Sequence, residues 1–142
     1  MEKALELARQ AFDAGEVPVG CVIIDSSGNI IGRGRNRREE AHDACAHAEL
    51  EAIREACSNV GDWRLNDCTM FVTLEPCPMC AGGIINSRIK TLVFAAKDEN
   101  TGSCGSVINL FEERYGHKPA IFGGVKACES AQMLREFFNK KR

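Results

Sequence analysis

The apolar positions along this chain recur with two different periods, which predict helices and strands in alternation. Recurrence at the helical period predicts helices over residues 2–14, 46–59, 78–86 and 126–140, and a further helical stretch over 107–114. The positions expected to mark the buried faces are Leu5, Ala8, Ala11 and Phe12 in the first helix, Leu50, Ile53, Ala56 and Cys57 in the second, and Ala127, Ala131, Leu134 and Phe138 in the last. His47 and Glu49 are predicted to lie in the first turn of the second helix.

Runs rich in β-branched residues predict the strands of a sheet. Residues 17–25 and 30–35 flank the turn sequence Ser26-Ser27-Gly28-Asn29 and are predicted to form a hairpin. Further strands are predicted over 68–73, 91–96 and, more weakly, 119–122, whereas residues 36–45 are polar and irregular. Because strands alternate with helices after the hairpin, the chain is predicted to be an α/β layered domain with a mixed sheet.

Length and composition are those of an ordinary soluble globular protein. With 142 residues, 44% of them hydrophobic and 27% charged, the chain is predicted to form a single domain over residues 1–142. Its apolar runs are too short to span a bilayer, and the segment after Met1 is amphipathic and charged rather than an apolar signal. A cytoplasmic protein with no membrane segment is therefore expected. The net charge of −2 means that any polyanion would have to be held by a local patch.

Eight cysteines raise the question of a disulfide scaffold. Without a secretion signal the compartment is expected to be reducing, which disfavours disulfides. Cys21, Cys57, Cys68 and Cys128 fall in predicted strands or helices, where free cysteines act as small hydrophobic residues.

Two short motifs carry most of the chemical information. His47-Ala48-Glu49 and Pro76-Cys77-Pro78-Met79-Cys80 supply one imidazole, two thiols and a carboxylate close to the imidazole. Three such ligands fill all but one position of a tetrahedral zinc, and a catalytic zinc keeps water in the open position. Glu49 could then move the protons of that water, so the motifs predict a hydrolytic zinc site.

Other interpretations of these motifs remain open from the residues alone. Cys77 and Cys80 could form a redox pair, or half of a structural zinc site closed by Cys45 or Cys104. A redox pair leaves His47 and Glu49 unexplained. Of the two possible fourth ligands, Cys45 is the stronger because it lies two residues before His47.

The H-x-E … P-C-x-x-C pattern is the signature of zinc-dependent nucleoside and nucleobase deaminases. The match extends over nearly the whole chain, in Val17-Pro18-Val19-Gly20, Asn36, Ala46-His47-Ala48-Glu49, residues 74–82, Ser87-Arg88-Ile89, residues 98–102 and Phe137-Phe138 with the basic residues that follow. In these segments the chain resembles the bacterial tRNA-specific adenosine deaminases of the cytidine/deoxycytidylate deaminase superfamily.

The resemblance implies both a fold and an activity. The fold is a three-layer α/β/α cytidine deaminase-like domain whose mixed sheet has about five strands and opens with a hairpin. The activity is the zinc-dependent hydrolytic deamination of adenosine to inosine at the wobble position of a tRNA, with one Zn²⁺ per chain. The partners implied are a tRNA anticodon stem-loop and a second copy of the chain in a homodimer.

The resemblance also implies roles for individual residues. His47, Cys77 and Cys80 correspond to the zinc ligands, and Glu49 corresponds to the general acid and base. The residues that correspond to substrate-binding positions are Asn36, the backbone N–H of Ala48, and Asp98, which would contact a ribose 2′-hydroxyl. Taken alone, Asn36 would be interpreted as a turn residue and Asp98 as a loop carboxylate.

Two basic clusters could contact RNA phosphates, although runs of this kind are as often simply solvated. They comprise Arg33, Arg35, Arg37 and Arg38, and Lys140, Lys141 and Arg142. One departure from the family pattern is Ala44 after Asp43, where relatives commonly have proline; it leaves that loop less restrained. A deaminase of a free guanine or cytosine base or nucleoside, and a non-catalytic zinc-stabilised RNA-binding module, remain as alternative functions.

Overall fold

One open, mixed five-stranded sheet forms the centre of the molecule in a computed structural model that describes all of residues 1–142. The strands are β1 (Gly20–Ile24), β2 (Ile30–Arg35), β3 (Thr69–Leu74), β4 (Thr91–Ala96) and β5 (Ala120–Phe122). Their order across the sheet is β2-β1-β3-β4-β5; β1 is antiparallel to both of its neighbours, and β3, β4 and β5 are parallel. The predicted mixed sheet that opens with a hairpin is confirmed.

Helices cover both faces of this sheet. They are α1 (Glu2–Asp13), α2 (Arg38–Ala41), α3 (Ala48–Val60), α4 (Pro78–Asn86) and α5 (Ala127–Lys140). Helices α1 and α5 pack together on one face, and α3 and α4 pack together on the other, where the main core cluster of 17 buried residues lies. The three-layer α/β/α arrangement is confirmed. None of these helices is both long enough and apolar enough to cross a membrane.

Small residues allow the backbone of α3 to lie directly on the sheet. A Cβ atom on Gly34 of β2 would lie 2.0 Å from the Ala48 carbonyl oxygen, and one on Gly32 would lie 2.3 Å from the Ala52 carbonyl oxygen. The helix presents Ala48, Ala52 and Ala56 to this contact, each with 0% of its surface exposed. Strand β2 therefore fixes the height of the N-terminus of α3 above the sheet.

Replacing Gly34 by alanine is expected to lower the free energy of unfolding by about 1–3 kcal/mol, because the added methyl group meets helix backbone that cannot rotate away. The matched control is Gly82→Ala in α4, where a Cβ atom has no neighbour within 4 Å. That change should be neutral or stabilising by up to about 1 kcal/mol, because alanine is the better helix former. Urea unfolding of both variants measures the difference, and equal stabilities would contradict the close contact between β2 and α3.

Three of the predicted elements differ from the structure. The first strand begins at Gly20 rather than at residue 17, because Pro18 has no N–H for the ladder and the Val19 N–H donates to the Val17 carbonyl at 2.8 Å. Residues 36–45 include the short helix α2. The predicted helix over 107–114 is wrong: only Leu110–Glu112 form a 3₁₀ turn. The Val107 and Leu110 N–H groups instead donate to the carbonyls of Gly102 and Ser103, which folds this segment back on the preceding loop.

The predicted buried faces of the helices are only partly correct. In α5 the buried residues are Ser130, Met133 and Phe137, whereas Phe138 is 49% exposed, so the predicted face is rotated. In α1 and α3 the buried positions are mostly alanines. All eight cysteines are free; Cys21 and Cys68 are buried as predicted, but Cys128 is exposed.

Candidate metal centre and adjoining pocket

Two helix N-termini bring the metal-ligating side chains together. His47 is the N-cap residue of α3, with extended backbone angles, and its carbonyl accepts the first helical hydrogen bond, from the Glu51 N–H at 3.0 Å. It therefore lies one position before the first turn in which it was predicted. Cys77 is the N-cap residue of α4, and Pro78, which has no N–H to leave unpaired, occupies the first helical position. Cys80 follows in the first turn and is completely buried.

The spacing of the three side chains fits a zinc ion. His47 Nδ1 lies 3.6 Å from Cys77 Sγ and 3.5 Å from Cys80 Sγ, and all three ligand atoms lie within 4.8 Å of one another. Tetrahedral zinc, with its usual bond lengths to sulfur and nitrogen, requires S···N separations of about 3.6 Å. The two sulfur–nitrogen distances are thus those that one shared zinc would impose.

No fourth protein ligand belongs to this cluster. It contains His47, Cys77 and Cys80 and no further histidine, cysteine or carboxylate. Cys45, which the sequence suggested as a closing ligand, is exposed and lies outside the group, as does Cys104. The arrangement therefore matches a catalytic zinc with an open position better than a closed structural one.

The electrostatics of the cluster favour a thiolate. A hydrogen bond from the Cys80 thiol, with a further one from His47, lowers the pKa of Cys77 to about 4. The neighbouring Cys77 and burial raise the pKa of Cys80. The two sulfurs thus share one proton, which a divalent cation would displace when both bind it as thiolates.

Glu49 is a buried carboxylate beside this cluster. Its side chain is 4% exposed, and burial raises its pKa to about 7. A group of this kind can both accept and release a proton near neutral pH. It lies on the first turn of α3, two residues after His47, and its proton-transfer role stays a prediction.

A recess of about 160 Å³, open to solvent, adjoins the cluster. Its lining consists of Val17, Val19, Asn36, Arg38, His47, Ala48, Glu49, Leu74, Glu75, Cys77, Asp98 and Thr101. All seven predicted site residues except the buried ligand Cys80 thus line one pocket. It lies where β2, β3 and β4 end, beside the N-terminus of α3.

One polar atom of Asn36 is buried without a hydrogen-bond partner. The residue is 6% exposed, its Nδ2 donates to the Val17 carbonyl at 3.3 Å, and its Oδ1 is a buried polar atom with no hydrogen-bond partner in the protein. A buried acceptor without a partner costs about 1–3 kcal/mol, so it is suited to a donor on a ligand. Ala48, the first residue of α3, also lines the pocket, and the first N–H groups of a helix have no acceptor within the helix.

Asp98 lines the pocket, but its carboxylate is already engaged by its own loop. Oδ1 accepts from the Asn100 and Thr101 N–H groups at 2.9 and 3.3 Å, and Oδ2 accepts from the Thr101 hydroxyl at 2.6 Å. The loop thus holds the carboxylate in one orientation, with its remaining lone pairs available to a ligand.

Glu75 is a pocket residue for which the sequence predicts no role. It is 2% exposed, and its carboxylate accepts hydrogen bonds from the loop after β4. Burial acts to raise its pKa, but the bonds from Ser106, Asp98 and Cys104 together lower it. The one sequence feature that could have indicated a role for Glu75 is the position of its carboxylate between a predicted buried strand and Pro76-Cys77.

Two further recesses share Val17 with this one. One is lined by Leu134 and Phe138 of α5, and the other by Arg38 and Lys141. One residue from each of the two basic clusters, which are far apart in the sequence, therefore lines the same recess. Arg35 and Arg37 are held in ion pairs with Glu40, at 2.8 and 3.6 Å.

Comparison with known proteins gives a consistent picture. Residues 1–96 match the sequence profile of the family described as the cytidine and deoxycytidylate deaminase zinc-binding region. The chain is similar to a tRNA-specific adenosine deaminase of Haemophilus influenzae, with 47% identity over 143 aligned residues that cover all of this chain and 83% of that protein.

The chain is also similar to a tRNA(Ile)-lysidine synthase of Deinococcus radiodurans, with 46% identity over 142 residues. The alignment covers all of this chain but only 24% of that synthase, so the chain spans about a quarter of the synthase's length. Among solved structures it resembles a tRNA:A34 deaminase studied for A-to-I editing at the wobble position, with a TM-score of 0.90 and 41% identity, covering 94% of this chain and 97% of that one.

Proposed function

This chain belongs to the zinc-binding cytidine and deoxycytidylate deaminases, and to the tRNA-specific adenosine deaminases among them, and we infer that it hydrolyses adenosine to inosine at the wobble position of tRNA. The observation that carries this proposal is the buried carboxylate of Glu49, which lines a pocket beside a cluster of three metal ligands. The similarity to tRNA-specific enzymes supports the choice of substrate.

His47 Nδ1 and the sulfurs of Cys77 and Cys80 would hold the zinc ion. Zinc in such a site lowers the pKa of a water to about 7, so that hydroxide is available at cellular pH. Glu49 would accept one proton of that water while the oxygen adds to C6 of adenine, and would deliver this proton to N1 of the ring. It would then take the proton of the new C6 hydroxyl group and pass it to the amino group, so that the C6–N6 bond breaks, ammonia departs and the C6 oxygen remains as the carbonyl of inosine. Because Glu49 is not one of the ligands, it can both accept and donate.

The same pocket supplies residues that would position the base. The unpartnered Oδ1 of Asn36 would accept a hydrogen bond from the base, and the Ala48 N–H would donate one. Asp98, held by its own loop, would accept a hydrogen bond from a ribose 2′-hydroxyl of the flanking nucleotide. A base from a single-stranded loop needs little unstacking to enter a pocket of this kind.

An anticodon stem-loop is the RNA partner that we propose. Arg38 and Lys141 flank the pocket and would contact its phosphates, which gives the slightly acidic chain a local basic patch. We further propose that residues 1–142 act as one deaminase domain, that it forms a homodimer, and that it works in the cytoplasm, where tRNA is processed.

Mass spectrometry of RNA products tests this function directly. Purified protein loaded with zinc is incubated with an anticodon stem-loop that has adenosine at the wobble position, and the expected product is inosine at that position alone. A 2′-deoxy version of the same stem-loop should react more slowly, because the hydroxyl group that Asp98 would contact is missing. Free guanine, cytosine and adenine serve as competitor substrates. Turnover of free guanine or cytosine, with none on RNA, would overturn the proposal in favour of a nucleobase deaminase.

A further inference from the structure

The loop that follows β4 has a single buried anion at its centre. The carboxylate of Glu75 accepts hydrogen bonds from the Asp98 N–H at 3.0 Å, from the Cys104 N–H at 2.9 Å, and from both the N–H, at 3.1 Å, and the hydroxyl of Ser106. No cation pairs with this carboxylate. Because the loop has no regular secondary structure to satisfy these N–H groups, Glu75 organises the loop from within.

Glu75 also belongs to the segment that leads into the metal cluster. It follows the last residue of β3, its N–H donates to the Ala96 carbonyl at the end of β4 at 2.8 Å, and Cys77 comes two residues later. The carbonyl of Pro76, between them, accepts from the Ser103 N–H at 2.9 Å. The loop is therefore attached to the two residues that immediately precede a proposed zinc ligand.

The opposite side of this loop forms a wall of the substrate pocket. Asp98 and Thr101 line the pocket, and their side chains are joined by the hydrogen bond between the Asp98 carboxylate and the Thr101 hydroxyl. Gly102, the next residue, packs directly on Glu75: a Cβ atom there would lie 2.5 Å from the Glu75 carboxylate. The position of the pocket wall is thus set by contact with Glu75.

We propose that Glu75 is a positioning residue that fixes the distance between the metal cluster and the pocket wall formed by Asp98 and Thr101, and hence the position of the bound nucleotide relative to the reacting water. This proposal rests on the proposed function. The carboxylate does not touch the substrate in this role; it acts through the loop. Positioning of this kind matters because a displacement of about 1 Å in a reacting group can lower a rate about 100-fold.

The test replaces Glu75 by glutamine, which keeps the shape of the side chain but substitutes an NH₂ donor for one of the two acceptor oxygens. We expect kcat/KM for the anticodon stem-loop to fall by about 10- to 100-fold, because the displaced pocket wall raises KM and the misplaced nucleotide lowers kcat. Zinc content should stay at the wild-type level. Hydrogen exchange at the amides of Asp98, Cys104 and Ser106 should accelerate relative to the amides of β4.

Two further variants approach the same contact from the loop. Gly102→Ala places a methyl group against both the Glu75 carboxylate and the Asp98 carbonyl oxygen, and Ser106→Ala removes one of the donors to the carboxylate. Both variants should shift KM and loop exchange in the same direction, Ser106→Ala more weakly. These two variants test whether Glu75 positions the pocket wall if Glu75→Gln does not fold. The matched control is Glu112→Gln, which alters an exposed carboxylate further along the chain and should change neither quantity.

If Glu75→Gln lowers the melting temperature while KM and the hydrogen exchange of the loop stay at wild-type values, the residue has only a structural role. Loss of zinc from Glu75→Gln would instead show that the residue acts on the metal site. Either result overturns the proposal. Failure of the proposed function looks different: the wild-type protein itself would form no inosine, while the exchange measurement would still report whether Glu75 holds the loop.

Discussion

Replacement of Glu49 by glutamine is expected to lower the rate of adenosine deamination by about 10²–10⁴-fold, the usual contribution of a positioned general acid and base. The glutamine side chain has nearly the same shape but cannot accept a proton from water or deliver one to the ring and the amino group. Because Glu49 is not a member of the ligand cluster, zinc content should be unchanged. Folding should be preserved as well, since a neutral side chain is easier to bury than a carboxylate.

The measurement combines single-turnover formation of inosine with metal analysis of the same preparation. Glu51→Gln is the matched control: it lies two residues further along α3, where its carboxylate forms ion pairs with Arg37 and Arg54 near the surface. Partly exposed ion pairs of this kind contribute little to the stability of the fold, and their loss should leave the deamination rate nearly unchanged. If Glu49→Gln is as active as the wild type, Glu49 is not a catalytic residue. If the wild-type protein itself binds RNA without forming inosine, the result favours a zinc-stabilised RNA-binding module.

The periodicity of the sequence was enough to predict the sheet and most of the helices, since β-branched runs and helical repeats are local properties of the chain. The metal cluster could also be predicted, because His47, Cys77 and Cys80 combine residue types that few other sites use together. Their convergence could not be calculated from the sequence; it depends on α3 and α4 entering the same side of the sheet.

Which face of each helix is buried proved harder to predict. In α3 the closest approach to the sheet is made by Ala48, Ala52 and Ala56, because Gly32 and Gly34 leave room for the helix backbone itself. Periodicity weighted by large residues pointed instead to Leu50 and Ile53, which are only partly buried. Close backbone packing of this kind depends on pairing between distant segments and has no local signal.

The organisation of the loop after β4 was not predictable for a similar reason. The segment over 107–114 has a helical pattern, yet its N–H groups donate to the carbonyls of Gly102 and Ser103, and the preceding loop is held by the carboxylate of Glu75. The hydrogen bonds from Cys104 and Ser106 to Glu75 join residues 29 and 31 positions apart in the sequence. A buried anion that accepts from N–H groups so far along the chain becomes visible only in three dimensions.

Removal of a metal ligand is the second change expected to have a large effect. Cys80→Ser should reduce zinc affinity by more than about 100-fold, because it removes a residue that binds the metal directly. Loss of a residue that only hydrogen-bonds to a metal ligand already costs up to about 100-fold. Deamination should fall to background, since water without the metal is far less acidic than water bound to it, whose pKa is about 7. Added zinc should restore activity to chelator-treated wild-type protein but not to the variant. Zinc content and inosine formation, measured on the same samples, check both statements.

Cys45→Ser is the matched control, and it also decides between an open and a closed metal site. Cys45 is exposed and lies outside the ligand cluster, although it is only two residues from His47, so the substitution should preserve both zinc content and rate. Loss of zinc in Cys45→Ser would mean that this cysteine occupies the fourth position and that no water can bind there. In that case the hydrolytic mechanism fails, because Glu49 would have no activated water to deprotonate. Retention of zinc in Cys45→Ser together with its loss in Cys80→Ser is the result expected of three protein ligands, with the fourth position left to the water that the reaction consumes.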